Sequence, residues 1–162
     1  MKKIWITGAS TGIGKSLAMK FAQEGWQVAA SARRENLLKE LSNKNSNIHS
    51  FPLDVTDSEK CKSVFNDIIN KLGDIDICVF CTGIHDPKSE KNLNLEKINK
   101  IMEVNFFGSI NSINSVYEYY KKKKSGHISI VSSVAGYRGL PAGGAYCASK
   151  AALTNYAESL YF

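Results

Sequence analysis

Short apolar segments alternate with amphipathic segments along this chain, and this alternation restricts the fold more than any other feature of the sequence. The segments typical of strands are KKIWIT, WQVAAS, NIHSFPL, IDICVF and HISIVSS. Apolar residues at helical spacing predict helices over about 13–23, 36–41, 58–72, 95–124 and 143–162. This order predicts an α/β fold, a doubly wound and Rossmann-like parallel sheet with helices on both faces.

Residues with binding or catalytic chemistry follow the predicted strands. Ligands of doubly wound sheets bind beyond the carboxyl ends of the strands. The glycines, arginines, acids and hydroxyl groups found there occupy positions 8–14, 33–34, 54, 81–83 and 132–133. Their common position predicts a single site at this edge of the sheet.

The segment TGASTGIGKS, residues 7–16, fits two phosphate-binding patterns. Read as a P-loop, it predicts a nucleoside triphosphatase; read as a dinucleotide turn, it predicts a nicotinamide enzyme. A P-loop requires glycine at the position of Ala9, and its metal-binding aspartate should follow an apolar strand. The only candidate aspartate, Asp54, follows a strand interrupted by Pro52. The sequence therefore favours the dinucleotide turn.

Tyr146 and Lys150 are four residues apart in the last predicted helix, and so they lie on one helix face. An ammonium group near a phenol favours phenolate and lowers the phenol pKa, which starts near ~10. Tyrosine then becomes useful for acid–base chemistry near neutral pH. Ser133 stands thirteen residues before Tyr146, at the end of the fifth predicted strand.

Five motifs occur in the order that is typical of one enzyme family. They are TGASTGIG, LDVT, Asn105 within VNFFG, VSSVAG and YCASK. Together they resemble the short-chain dehydrogenase/reductase family, and the resemblance covers the whole chain. It implies transfer of a hydride between a nicotinamide cofactor and a small carbonyl or secondary alcohol.

The resemblance also implies the catalytic roles. Tyr146 is the expected general acid or base, and Lys150 lowers its pKa and binds the nicotinamide ribose. Ser133 binds the substrate carbonyl, and Asn105 holds a water that links Lys150 to solvent. Taken alone, Asn105 could equally be an ordinary polar residue of a long helix.

The same resemblance implies a set of cofactor contacts. The glycines of the first turn let the backbone approach a pyrophosphate at a helix N-terminus. The expected cofactor-binding residues are Gly8, Ser10, Thr11, Gly12, Ile13, Gly14, Arg33, Arg34, Asp54, Val55, Cys81, Gly83, Tyr146 and Lys150. Asp54 and Val55 are expected at the adenine, although Asp54 could also be a plain turn residue. The family has Asn-Ala-Gly where this chain has Cys81-Thr82-Gly83, so a bracing asparagine is missing and Gly83 is retained.

Ala32 stands where an NAD enzyme has a carboxylate that accepts the ribose 2′-hydroxyl. Arg33 and Arg34 follow, and their planar guanidinium groups suit a 2′-phosphate. The alternative is that both arginines only begin a solvated helix. We predict NADP as the cofactor, with NADPH preferred over NADH.

Other features argue against metal, nucleic-acid and membrane functions. Cys78 and Cys81 are three residues apart in a predicted strand and point to opposite faces, which predicts reduced core cysteines and no metal site. The lysines at 121–124 are typical of a solvated helix end. MKKIWITG lacks the apolar core of a signal peptide, and no apolar run approaches the ~18 residues of a membrane span. We therefore predict a cytoplasmic protein, with a homodimer or homotetramer expected from the resemblance alone.

The end of the sequence predicts an incomplete domain. The last predicted helix reaches Phe162 without a stop signal, whereas members of the family continue with further strands and a segment that covers the substrate. Residues 1–162 are therefore expected to form a single dinucleotide-binding and catalytic domain that lacks the C-terminal strands, with the fifth strand at the sheet edge. A dinucleotide-binding fragment or sensor without turnover is the alternative function.

Overall fold

The computed structural model describes residues 1–86 and 93–160. Its strands are β1 (Lys3–Thr7), β2 (Gln27–Ala32), β3 (Ile48–Pro52), β4 (Ile77–Phe80) and β5 (His127–Ile130). Its α-helices are α1 (Gly12–Gln23), α2 (Glu35–Ser42), α3 (Ser58–Leu72), α4 (Leu95–Met102), α5 (Gly108–Lys123) and α6 (Gly144–Ser159). Two shorter helical turns are present, a π turn over Glu103–Phe107 and a 3₁₀ turn over Val134–Gly136.

The strands form one parallel sheet in the order β3-β2-β1-β4-β5. The chain builds outward from β1 to β3, then crosses to the other side of β1 and continues through β4 to β5. The order thus reverses between β1 and β4, and this is the switch point at which doubly wound sheets bind ligands. The predicted fold class is confirmed.

Alternating residues of β1 enter two separate hydrophobic cores, one on each face of the sheet. Trp5 packs with Phe65 and Phe80 under α3 and α5. Ile4 and Ile6 belong to the opposite core, which is covered by α1 and α2. The helices on both faces explain why the inner strands β1 and β4 are mostly apolar and buried.

Helix boundaries agree with the sequence in most places. The Asp57 side chain caps α3 by accepting from the backbone N–H of Lys60 at 2.9 Å. The single helix expected over 95–124 is instead interrupted by the π turn, in which the Gly108 N–H donates to the Glu103 carbonyl. The last helix, predicted to run to Phe162, ends at Ser159 with Leu160 as its C-cap, and residues 161–162 lie outside the described residues.

β5 is the outermost strand on its side of the sheet within residues 1–86 and 93–160. It is also shorter than the segment HISIVSS suggests, because the strand ends at Ile130, although the Val131 N–H still donates to the Phe80 carbonyl of β4 at 3.0 Å. Ser132 and Ser133 therefore lie in the connection that follows the strand. None of the helices in the described ranges has the length and apolarity needed to cross a membrane.

Candidate active site

A cleft of about 720 Å³ opens at the carboxyl ends of the parallel strands. Each of the five strands contributes a residue at its end or just after it. The residues predicted to bind a cofactor all border this cleft: Gly8, Ser10, Thr11, Gly12, Ile13, Gly14, Arg33, Arg34, Asp54, Val55, Cys81, Gly83, Tyr146 and Lys150. The other two predicted catalytic residues, Asn105 and Ser133, are not among the residues that border it.

The turn between β1 and α1 is too tight for side chains at two of its glycines. Gly8 has φ +70°, and a Cβ at that position would lie 2.9 Å from the Cys81 carbonyl carbon. A Cβ at Gly14 would lie 2.5 Å from the carbonyl oxygen of Gly8. Both glycines are thus required by packing against neighbouring backbone. Gly12 also borders the cleft, and a Cβ there would meet no atom within 4 Å, so the backbone faces open space at that point, as a bound pyrophosphate requires.

The first turn of α1 favours an anion. It contains no acidic residue, and the hydroxyl of its N-cap residue, Thr11, makes no capping bond. That hydroxyl instead accepts from Arg34 Nη2 at 3.0 Å, and Ser10 Oγ accepts from the same nitrogen at 3.0 Å. Arg34 thus adds positive charge beside a helix N-terminus. These residues fit the phosphates of a dinucleotide.

Asp54 borders the cleft after β3 and remains a carboxylate near neutral pH. Burial acts to raise the pKa of Asp54, but two hydrogen bonds from Thr56 and the charge of Arg33 outweigh it and hold the pKa below its usual value. Both bonds, from the Thr56 N–H and hydroxyl, go to Oδ1 at 3.1 and 2.9 Å. The Asp54 side chain therefore fixes the conformation of the turn after β3.

Lys150 is buried on α6, and its ammonium group points toward the end of β5. Nζ donates to the Val131 carbonyl at 2.9 Å and lies 5.9 Å from the centre of the Tyr146 ring. Burial lowers the pKa of Lys150, because the charged form loses solvation. The structure thus holds a desolvated cation beside a phenol that borders the same cleft.

Asn105 is fully buried in the π turn and joins two parts of the site. Its Oδ1 accepts from the Ile84 N–H at 2.7 Å, and its Nδ2 donates to the Ile84 carbonyl at 2.9 Å. Nδ2 also donates to Ser149 Oγ at 3.1 Å, one residue before Lys150. The asparagine therefore ties the segment after β4 to the helix that carries Tyr146.

Ser133 caps the 3₁₀ turn, where its Oγ accepts from the Ala135 N–H at 3.1 Å. A hydroxyl that accepts one bond still has its own proton to donate. The neighbouring Ser132 borders the cleft, and its hydroxyl donates to the Lys150 carbonyl at 3.0 Å and pairs with Thr154 Oγ1 at 2.8 Å. Ser132 therefore links the segment after β5 to α6, a role that no sequence motif indicates.

Cys78 and Cys81 are free thiols on opposite sides of the sheet. Burial raises the pKa of the Cys78 thiol to about 12, and it also raises the pKa of Cys81 against the opposing charge of Lys150. Thr7 Oγ1 accepts from the Cys81 N–H at 3.2 Å, which anchors the segment that lacks the family's asparagine. Within the described ranges, no group of three His, Cys, Asp or Glu side chains could hold a metal.

His85 is a feature of the site that sequence reasoning misses. Its ring stacks on the Tyr146 ring with centroids 4.3 Å apart and an interplanar angle of 26°. It borders the cleft and is itself exposed. Its position two residues after Gly83 is the only sequence signal, and that signal does not indicate which ring it contacts.

Known proteins are similar to this chain in sequence and in fold. Residues 2–162 match the family described as short chain dehydrogenase. Dehydrogenase/reductase SDR family member 7 of Mus musculus is 30% identical over 98% of this chain, which spans 49% of that relative. A solved short-chain dehydrogenase from Streptomyces avermitilis is similar with a TM-score of 0.89 and 28% identity, over 99% of this chain and 60% of that one.

A structure of ElxO with NADP bound is also similar, with a TM-score of 0.86 and 27% identity. The match covers 96% of this chain and 64% of ElxO. The chain therefore spans about half of the mouse relative and a larger share of the solved structures. The family match extends over nearly all residues of this chain. The chain belongs to the short-chain dehydrogenase family.

Proposed function

We propose that the protein transfers a hydride between NADP and a small carbonyl or secondary alcohol, with Tyr146 as the general acid or base. One observation carries the proposal. The glycine turn and Arg34 border one part of the cleft, and Tyr146 and the buried Lys150 border another part of the same cleft. A dinucleotide whose phosphates lie at the glycine turn can extend toward Tyr146. The membership of the chain in an oxidoreductase family supports the same chemistry.

Tyr146 and Lys150 carry out the proton transfer to and from the substrate oxygen. A bound nicotinamide supplies or accepts the hydride. The Tyr146 hydroxyl donates its proton to the substrate oxygen during reduction, and the Tyr146 phenolate accepts the alcohol proton during oxidation. Lys150 stabilises the phenolate by its charge, which acts strongly because the ammonium group is desolvated.

Ser133 and Asn105 support that step in different ways. In the proposal, Ser133 uses its remaining O–H to hold the substrate carbonyl. Both Nδ2 hydrogens of Asn105 are donated, one to the Ile84 carbonyl and one to Ser149 Oγ, and Oδ1 accepts from the Ile84 N–H. Asn105 could therefore hold a water only with the second lone pair of Oδ1. Its main contribution is therefore the fixed spacing between the segment after β4 and α6.

We propose NADP in preference to NAD because the end of β2 is cationic. Ala32, Arg33 and Arg34 all border the cleft, and no carboxylate occupies the position of Ala32 to repel a 2′-phosphate. Arg34 is held against the glycine turn by Ser10 and Thr11, while Arg33 acts on Asp54 by its charge. A similar protein, ElxO, has been solved with NADP bound.

Replacing Arg33 by alanine should weaken NADPH binding and leave NADH binding nearly unchanged, because Arg33 lies at the end of β2 and makes no bond to the glycine turn that holds the shared phosphates. Each charge-assisted bond to a phosphate is worth about 1.5–3 kcal/mol, so the Kd for NADPH should rise by about 10–100-fold. Titration of the cofactor fluorescence measures both constants. Arg138→Ala is the matched control, because Arg138 does not border the cleft. Equal affinity of the unmodified protein for both cofactors would contradict the proposal.

A hydride-transfer assay with a panel of ketones and secondary alcohols tests the activity itself. Oxidation of NADPH that depends on a carbonyl supports the proposal. Binding of NADPH without any turnover would instead indicate a dinucleotide sensor, and magnesium-dependent ATP hydrolysis would indicate a triphosphatase. A homodimer or homotetramer and a cytoplasmic location remain predictions, which light scattering and cell fractionation of the protein can test.

A further inference from the structure

The ring of His85 makes an unusually close contact with a residue of the proposed mechanism. Its centroid lies 4.3 Å from that of Tyr146, the shortest separation among the ring pairs of residues 1–86 and 93–160. His85 is exposed, whereas Tyr146 is half-buried. Burial does not hold the imidazole in place, so its position depends on the stack and on the backbone that precedes it.

Asn105 fixes the backbone on both sides of this stack. It binds the N–H and the carbonyl of Ile84, the residue before His85, at 2.7 and 2.9 Å. Its Nδ2 also donates to Ser149 Oγ, which in turn donates to the Tyr146 carbonyl at 2.7 Å. One buried side chain therefore sets the distance between the two backbone segments that carry the rings.

We propose that His85 is a positioning residue for Tyr146. The imidazole covers one face of the phenol ring and holds the ring in the orientation that proton transfer requires. This role rests on the proposed function of Tyr146. It needs a planar ring at position 85 and does not need the imidazole nitrogens, which separates it from direct proton transfer by His85.

Kinetics of three variants test the role. Because His85→Ala removes the ring that stacks on Tyr146, it should lower kcat by about threefold to tenfold. The Kd for NADPH should stay within about twofold, because His85 is not needed at the phosphates. His85→Phe should restore kcat, since it keeps the ring. His127→Ala is the matched control, because His127 begins β5 at the opposite end of the sheet. A kcat for His85→Ala equal to that of the control, or a His85→Phe variant as slow as His85→Ala, would overturn the proposal.

Proton NMR tests the contact without any turnover. The chain has three histidines, so the ring signals of His49 and His127 serve as internal references. Tyr146→Leu keeps apolar volume and removes the ring, so the His85 signals should lose their ring-current shift while the reference signals stay. Unchanged His85 signals would overturn the proposal. A ring-current shift in a protein that reduces no carbonyl would overturn the proposed function and the kinetic role together, whereas turnover that is insensitive to His85→Ala overturns the role of His85 alone.

Discussion

Tyr146→Phe is expected to lower kcat by about 10²–10⁴-fold, the usual contribution of general acid–base catalysis. The substitution removes the hydroxyl that exchanges a proton with the substrate oxygen. It keeps the ring, so the stack with His85 and the wall of the cleft stay in place. Binding of NADPH should therefore change by no more than about twofold, because the interaction that is lost belongs to the transition state. Stopped-flow absorbance of NADPH together with equilibrium titration separates the two effects.

Tyr117→Phe provides the matched control for this experiment. Tyr117 lies on α5, is partly exposed and does not border the cleft. The control should keep the kcat of the unmodified protein. If Tyr146→Phe also kept it to within about twofold, Tyr146 would not be the general acid or base.

Gly14→Ala should impair both the fold and cofactor binding. The new Cβ would lie 2.5 Å from the Gly8 carbonyl oxygen and 2.8 Å from the Gly8 carbonyl carbon, and both are backbone atoms. Forced overpacking of this kind costs about 1–3 kcal/mol, which corresponds to a fall in Tm of about 2–12 °C for a chain of this size. The turn must also open where the phosphates bind, so NADPH affinity should fall below the detectable range in the same variant. Calorimetry and cofactor titration measure the two losses.

Gly139→Ala separates this effect from the general cost of replacing a glycine. A Cβ at Gly139 meets no atom within 4 Å. The control should therefore melt and bind NADPH as the unmodified protein does. If Gly14→Ala kept the Tm and the Kd for NADPH of the unmodified protein, the glycine turn would adjust to the new Cβ. Close packing of Gly14 against Gly8 would then not be required for cofactor binding.

The fold could be predicted because its determinants are local. Alternation of apolar strands with amphipathic helices fixes the order of elements, and glycines and Asp57 mark where helices start and end. The π turn at Glu103–Phe107 could not be predicted, since its residues are as compatible with a regular α-helix as with a π turn. The end of β5 could not be predicted either, because Val131 follows Ile130 without a glycine or proline to mark the end of the strand.

The residues of the cleft could be predicted where backbone geometry requires a particular residue type. A glycine whose Cβ would meet another backbone segment is such a case, and Gly8 and Gly14 are examples. Contacts between distant side chains could not be predicted. The stack of His85 on Tyr146 and the bonds from Arg34 to Ser10 and Thr11 join residues far apart in sequence. No local pattern carries that information, because it arises only when the strands are placed side by side.

The π turn has a consequence for how the gene of this protein can change length. A π turn contains one residue more than an α-helix needs to cover the same distance, and one residue corresponds to a rotation of about 100°. Deleting any one of the four residues of Glu103–Phe107 other than Asn105 would restore a regular helix and turn Asn105 away from Ile84 and Ser149. A single in-frame codon loss there would therefore separate the two halves of the site. Of these five residues, Val104 alone borders the cleft. Natural variation in this stretch should therefore favour exchange of residues over changes in their number.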